Sequence, residues 1–504
     1  SHRERAAMAI VSPTPQADQT GYPQFAYPSP RYPDYIRRAR ATTIEELLPV
    51  ARVHIGRRYA FPALGPVLAG DHVLLMTYTS QDPLVMETVK RAMLEAGAKQ
   101  VDVRTWSDLG VREPDKRWSA ADGWRECVEP IGPMIEDGVE YKVEATAVRG
   151  FLEHQPEYNA FWAGEAGGNH WRRTTSREKY RGNFLFSTYE SFISRCSAYP
   201  DEIWRLIDRK LLQQFRRAAA VHITDPQGTD VSWDLTDEEA ELWVKTATVP
   251  GHMLASTIQG IRRATPVSDL LRHHQRHYPT LNGVVSGTAN HSGYYPHIRV
   301  HMERGMVVKI EGDSRYADLF REVVDRFKDA EYPGFPYKGW AYFNDCTIGT
   351  NPKGIRNREG LWGYGDRQAN LSERLRAGVI HWGWGAEHWD QTFIEYARER
   401  HLPIMHFPHV HNYFSDYVIK DRQTGEWIKL LDKGWLTVLD DPDVVRVASL
   451  YGDPKNILGY DWIPTLPGIN YPGDYAKDYA PDPVSWIRRD VDGEFAGNPG
   501  SWAT

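Results

Sequence analysis

The chain has 504 residues, 41% apolar and 25% charged, enough for a sizeable core and, at ~150 residues each, for two or three domains of a globular enzyme. A net charge of -7 spread without a basic block excludes the electrostatic footprint of a nucleic-acid binder. No apolar run reaches the roughly 18 residues of a membrane span, and Cys127, Cys196 and Cys346 lie too far apart for a Cys-x-x-Cys pair, so a soluble protein of the reducing cytoplasm is expected.

Residues 1–7 precede Met8 and read as a tag remnant, and the Pro-, Tyr- and Ser-rich stretch to about Pro33 reads as an arm. Residues 34–220 are expected to form a Rossmann-like α/β domain. In it, an apolar run from His72 to Thr77 precedes Leu84, Val85, Val89, Met93 and Ala96 at helical spacing, Gly97 as a stop, and a second run from Val101 to Thr105. The connection Tyr78-Thr79-Ser80-Gln81-Asp82-Pro83 has no Gly-x-Gly-x-x-Gly turn, so dinucleotide binding is not supported. Ile203, Leu206, Ile207, Leu211 and Phe215 mark one face of a helix over Asp201 to Ala220, and a strand over Ala220 to Thr224 follows at once. Residues 221–460 read as a mixed α+β metal-binding domain. Its β-prone segments His297 to Met302 and Met306 to Ile310 flank a Glu303-Arg304-Gly305 turn, and a helix runs from about Arg315 to Ala330. Residues 461–504, rich in Pro, Asp, Tyr and Gly, read as a C-terminal tail.

Three segments carry the chemistry: Asn344-Asp345-Cys346-Thr347-Ile348-Gly349-Thr350-Asn351-Pro352, Ile380-His381-Trp382-Gly383-Trp384-Gly385-Ala386-Glu387-His388, and His406-Phe407-Pro408-His409-Val410-His411-Asn412. Alternate side chains of a strand share a face, so His409 and His411 point into one site while Val410 packs behind. Two imidazoles on one face suit a divalent transition metal, and His381, in a Gly-rich setting that lets backbone and substrate approach, supplies a third ligand. His388 is a candidate proton-moving base. The chain carries 18 Trp and 27 Tyr, and Trp382, Trp384 and Trp389 are candidates to stack on a substrate ring. A second cluster, His273, His274 and His277, has helix spacing, but Arg272 and Arg276 beside it repel a cation and mark a solvated helix face. His291, His297 and His301 lie near the hairpin; His297 and His301 share a strand face that can line the pocket or the surface, and His297 is the substrate-binding candidate.

The segment Val221-His222-Ile223-Thr224-Asp225-Pro226-Gln227-Gly228-Thr229-Asp230-Val231-Ser232-Trp233 resembles the Gly-Thr-Asp-Leu segment of the aminopeptidase T family of metallopeptidases, and Ile348-Gly349-Thr350-Asn351-Pro352 and the histidine segments follow in the same order. The likeness runs from about Ala198 to Ile419. It implies Asp345 at the place of a ligand glutamate, His381 at that of a lone histidine, His388 at that of a tyrosine, and His409 with His411 at that of a His-x-Asp pair. The other ligand glutamate of those two-metal peptidases falls at Val284, and losing that carboxylate removes charge that would hold two dications together. The 2,5-dihydroxypyridine 5,6-dioxygenase family, which uses two histidines and an aspartate on one Fe(II), is similar at one further point: its His-Ile-Gly-Trp-Gly segment is like His381-Trp382-Gly383-Trp384-Gly385 here. That resemblance implies one iron on His381 and His409, completed either by His411 or by Asp345.

The function expected is therefore a mononuclear Fe(II) ring-cleaving dioxygenase acting on a hydroxylated aromatic or N-heteroaromatic small molecule, with Zn, Mn or Co as other metals. A metal-dependent hydrolase, with Asp345 as ligand or base, and a non-catalytic binding protein on the same scaffold are the alternatives. A small-molecule substrate, no nucleic acid, no membrane and a homo-oligomer complete the expectation.

Overall fold

A computed structural model describes residues 16–17, 23–33, 39–56, 67–110, 150–164, 179–184, 189–247, 254–255, 265–290, 293–356, 373–388 and 390–495, apart from positions 78, 80, 106, 197, 405 and 407. Helix α1 (Ile44–Gly56) is followed by β1 (His72–Thr77), α2 (Pro83–Glu95), β2 (Gln100–Thr105), β3 (Ala160–Gly164) and β4 (Tyr180–Phe184). The four strands form a parallel sheet in the order β2-β1-β3-β4. Every residue of β1 from Val73 onward is buried, as a strand covered on both faces requires. Asp82 caps α2 by accepting from the Val85 amide at 3.1 Å, and Pro83 fills the first turn, where a missing N–H costs nothing. Val85, Val89 and Met93 pack with Val73, Leu75 and Trp162 in one core.

Next come α3 (Asp201–Phe215), β5 (Ala218–Asp225), β6 (Thr229–Asp234), α4 (Val267–His277), β7 (Asn282–Asn290), β8 (Gly293–Glu303) and β9 (Met306–Glu311). They continue with α5 (Arg315–Arg326), β10 (Phe343–Ile348), β11 (Ile380–Trp384), α6 (Gln391–Glu399), β12 (His409–Asn412), β13 (Asp416–Asp421), β14 (Trp427–Asp432) and, in the tail, α7 (Pro483–Val491). An eight-stranded antiparallel sheet runs β9-β8-β7-β6-β5-β13-β14 and ends on the short strand Trp435–Leu436. A second antiparallel sheet runs β12-β11-β10 and ends on the two-residue strand Leu254–Ala255. The mixture of helices and sheets is the one expected, including the parallel strand-helix-strand unit and the hairpin of β8 with β9 turning at Arg304 and Gly305, both at positive φ.

The two antiparallel sheets meet where β12 passes β7. A Cβ at Gly287 would stand 2.6 Å from Val410 Cγ1, so this contact needs glycine. Asn412 ties the layers together: its Nδ2 donates to the Ser286 carbonyl at 2.9 Å, and its Oδ1 accepts from Thr229 Oγ1 at 2.9 Å and from Trp382 Nε1 at 2.8 Å. The sequence assigns α3 to the N-terminal unit; its apolar residues Ile203, Trp204, Ile207, Leu211 and Phe215 instead join the core of the antiparallel sheets. The tail is packed rather than loose, with Trp462, Leu466, Tyr479, Trp486 and Ile487 against Tyr294, Ile355, Val379 and Tyr413. Among the described residues no helix is long and apolar enough to cross a membrane, and Cys196 and Cys346 are buried thiols.

Candidate metal centre

Strand register builds the site. In the three-stranded part of the smaller sheet, Asp345 on β10 lies opposite Gly383 on β11, which lies opposite His409 on β12. The next row along the same face is Thr347, His381, His411. Directly opposed residues share a face, so the chain presents a carboxylate and three imidazoles around a position with no side chain. A Cβ at Gly383 would lie 2.7 Å from His409 Cδ2 and 2.9 Å from His406 Cδ2, so the glycine opens the space that two histidine rings fill. His406 enters that space from the segment before β12.

Asp345, His381, His406 and His409 each bring a donor atom into a group whose members all lie within 4.8 Å of one another. Asp345 Oδ2 is 3.2 Å from His381 Nε2 and 3.4 Å from His406 Nε2, and the rings of His381 and His409 stack at 4.5 Å. All but His406 are buried, and the His406 side chain is 17% exposed, which marks the side from which solvent or a small molecule reaches the group. Buried acceptors orient the rings: His406 Nδ1 is 2.5 Å from Glu387 Oε2, which also accepts from Asn344 Nδ2 at 3.2 Å. His381 Nδ1 is 2.8 Å from His411 Nε2, and His411 Nδ1 bonds Glu373. Arg356 Nη1, at 2.5 Å, and the Tyr413 hydroxyl, at 2.9 Å, both donate to Glu373. The backbone of His409 is clamped as well, its N–H donating to the Tyr316 hydroxyl at 2.8 Å and its carbonyl accepting from Tyr295 and Tyr316 at 2.8 Å each.

Burial by itself raises the Asp345 carboxyl, but the imidazoles of His381 and His406 reverse this and hold it well below the usual carboxylate range. Burial lowers His381 to about 3 and, with the neighbouring His381 and His406 rings, holds His409 well below its ordinary value. For His406 burial acts in the same downward sense, yet the carboxylates of Glu387 and Asp345 outweigh it and push the ring up to about 9. Anionic Asp345 and the neutral rings of His381 and His409 are in the forms that ligate a metal, and His406, held protonated by its two carboxylate neighbours, would release its proton on ligation. Asp345 Oδ1 is buried with no hydrogen-bond partner among the described residues, as expected of a ligand atom and costly otherwise. The donor set thus fits a single divalent transition ion, with outer acceptors on two of the three imidazoles, as metal-bound histidines usually have.

Of the residues singled out from the sequence, the structure brings Asp345, His381 and His409 together, and His406, only part of a quoted segment there, completes the group. Its signal is the His406-x-x-His409 spacing, which carries a ring back across one strand end. His411 lies outside this group, one row away, with His381 at one ring nitrogen and Glu373 at the other. His388 lies outside the group and is held by backbone, Nε2 lying 3.0 Å from the Thr265 carbonyl while Nδ1 accepts from the Asp390 amide at 2.9 Å. Trp382 and Trp384 do not line the site. They alternate onto the opposite face of β11, fully buried, with Nε1 atoms on Asn412 Oδ1 and, at 3.1 Å, Met302 Sδ. His297 points elsewhere too, with Nε2 2.9 Å from the Gln227 carbonyl and its ring edge-on to Tyr475. Trp389 and His291 lie outside the described residues. The α4 histidines, expected on a solvated face, are all buried, because 270, 273, 274 and 277 form one face of the helix and the arginines the other.

No family model and no curated protein matches the chain. Among solved structures, the chain is similar to a 2,5-dihydroxypyridine dioxygenase from Pseudomonas putida KT2440, at 12% identity and a TM-score of 0.40 over 79% of this chain and 98% of that one. It is similar also to wild-type AmpT from Thermus thermophilus, at 13% identity and a TM-score of 0.39 over 78% and 99%.

Proposed function

We propose that this chain is a mononuclear, non-haem metal-dependent enzyme, with Fe(II) as its ion and oxidative ring cleavage of a hydroxylated aromatic or N-heteroaromatic small molecule as its reaction. The observation that carries the proposal is the composition of the group formed by Asp345, His381, His406 and His409: three imidazoles and one carboxylate. A single negative charge balances part of one dication and leaves two dications to repel each other at close range, which disfavours a paired-metal peptidase site. Four protein donors also close the tetrahedral set that zinc prefers, whereas an ion that takes six ligands keeps positions open. The bound ion would supply a common coordination sphere for a chelating substrate and O2 and a route for electrons between them.

The chain's own residues do the rest. Glu387 holds the His406 ring in place, and the hydroxyls of Tyr295 and Tyr316 fix the backbone of His409. Among the described residues, Asp345, His381 and His409 are shielded from water by burial while the His406 side chain keeps some exposure.

Elemental analysis of protein purified without air, beside the His409→Ala variant, tests the proposal. About one iron per chain that the variant loses, together with O2 uptake on a panel of dihydroxylated rings, is the expected result. Two zinc or cobalt ions per chain would replace it with a metallohydrolase, and no metal in either protein would make the histidines structural.

A further inference from the structure

We infer that His411 is a positioning residue, the middle of a fixed Glu373–His411–His381 chain that keeps Nε2 of His381 turned to the metal group, and not a ligand. The inference rests on the metal-centre reading above. His411 stands directly across from His381 in the strand ladder, its ring at 67° to that of His381, with Nε2 2.8 Å from His381 Nδ1. On its far side Nδ1 meets Glu373.

With both rings neutral, one proton arrangement satisfies these contacts. Glu373 receives donors from Arg356 and from Tyr413 and is therefore an ionised acceptor, so His411 must offer it an N–H from Nδ1. The remaining His411 nitrogen, Nε2, then carries a lone pair and accepts from His381 Nδ1–H. His381 is left with its lone pair on Nε2, the atom 3.2 Å from Asp345 Oδ2 in the group of four. The opposite tautomer of His411 would set its lone pair against the Glu373 carboxylate. Arg356 neutralises Glu373 and lies 4.1 Å over the Tyr294 ring, so this chain adds no net charge behind the site. His406 achieves the same orientation in a single step through Glu387.

The test uses full-length, metal-depleted protein with Co(II) as the probe, read by the far-shifted, exchangeable imidazole N–H resonances that Co(II) ligation produces. Wild type is expected to show three such resonances, from His381, His406 and His409. In His411→Gln all three persist, one of them exchanges with solvent faster, and Co(II) affinity falls about 10–100-fold. Glu373→Gln accelerates the same resonance without removing any. A fourth resonance in wild type, or the loss of one in His411→Gln, would place His411 on the ion and overturn the inference while leaving the metal centre standing. Unchanged exchange and affinity in both variants would overturn it too. Failure of wild type to bind Co(II) at all would overturn the metal centre and the inference with it. If His411→Gln does not fold, His406→Gln decides: loss of one of the three resonances keeps His406 rather than His411 on the ion, and retention of all three overturns the inference.

Discussion

Replacing Gly383 by alanine adds one methyl group to the middle of a strand. The backbone there is extended, so alanine brings no conformational strain, and its only effect is steric. The added Cβ would meet His409 Cδ2 at 2.7 Å and His406 Cδ2 at 2.9 Å, where ordinary contact begins at 3.4 Å. The rings must retreat by about 0.7 and 0.5 Å, several times the ~0.2 Å by which metal–ligand distances vary. Two ligands displaced in this way cannot both be recovered, because Tyr316 and Tyr295 pin the His409 backbone and Glu387 pins the His406 ring. Co(II) or Fe(II) affinity of Gly383→Ala is therefore expected to fall by about 100-fold or more, on the order of 3 kcal/mol. The metal-free protein should lose only the ~1–3 kcal/mol typical of overpacking. Titration of metal-depleted protein against a competing chelator, with calorimetric melting of the same samples, measures both. A variant that melts within a few degrees of wild type and binds the ion within about threefold of it would refute the placement of the two rings over Gly383.

Tyr316→Phe removes the hydroxyl that accepts from the His409 amide and donates to its carbonyl, and should cost ~1–3 kcal/mol in melting experiments and weaken Co(II) binding in the same titration. Trp382→Phe breaks the bond to Asn412 and leaves a void in the core, so it should lower the melting temperature while leaving Co(II) stoichiometry unchanged; a changed KM with unchanged stability would instead make it a substrate-stacking residue. Burial pushes the Asp208 carboxyl up to about 7, against the opposing bond from Thr350 Oγ1. Because the folded-state value lies above the unfolded one, the proton stays on in the folded chain while the unfolded chain ionises. Stability is then full below about pH 4, falls as pH rises toward 7 and levels off above it. Asp208→Asn should accordingly gain on wild type by up to ~4 kcal/mol between those limits, and a gain that does not change from pH 4 to pH 8 would contradict this.

The sequence makes the ladder of the site legible, because alternation in His409-Val410-His411 and the order of the three segments follow from strand geometry. The same alternation, applied to His381-Trp382-Gly383-Trp384, already sends both tryptophans to the opposite face, which aromatic abundance obscured. What alternation cannot supply is depth along a face. His409 and His411 share one, yet only His409 lies in the row of Gly383, and that depends on the pairing register with β11. Glu373, Glu387 and His406 were hidden for a related reason: they come from segments outside the strands, where no period links sequence to direction. The hairpin of β8 and β9 and the α2 helix, by contrast, depend on local caps and turns and are readable from a few neighbouring residues.

The contact between the N-terminal arm and the tail has a consequence for maturation. The Tyr32 hydroxyl bonds Thr465 and Asp490 across more than four hundred residues, and the Arg31 and Ile463 backbones pair. The tail that these bonds secure also covers Tyr294 and Tyr413, which contact Arg356 and Glu373 behind His411. A ribosome releases Arg31 and Tyr32 more than four hundred residues before Thr465 and Asp490, so the support behind the histidines closes only after residues 463–490 have emerged. Until then the half-assembled pocket holds a buried charge pair without its cover. Slow folding is what such long-range closure entails.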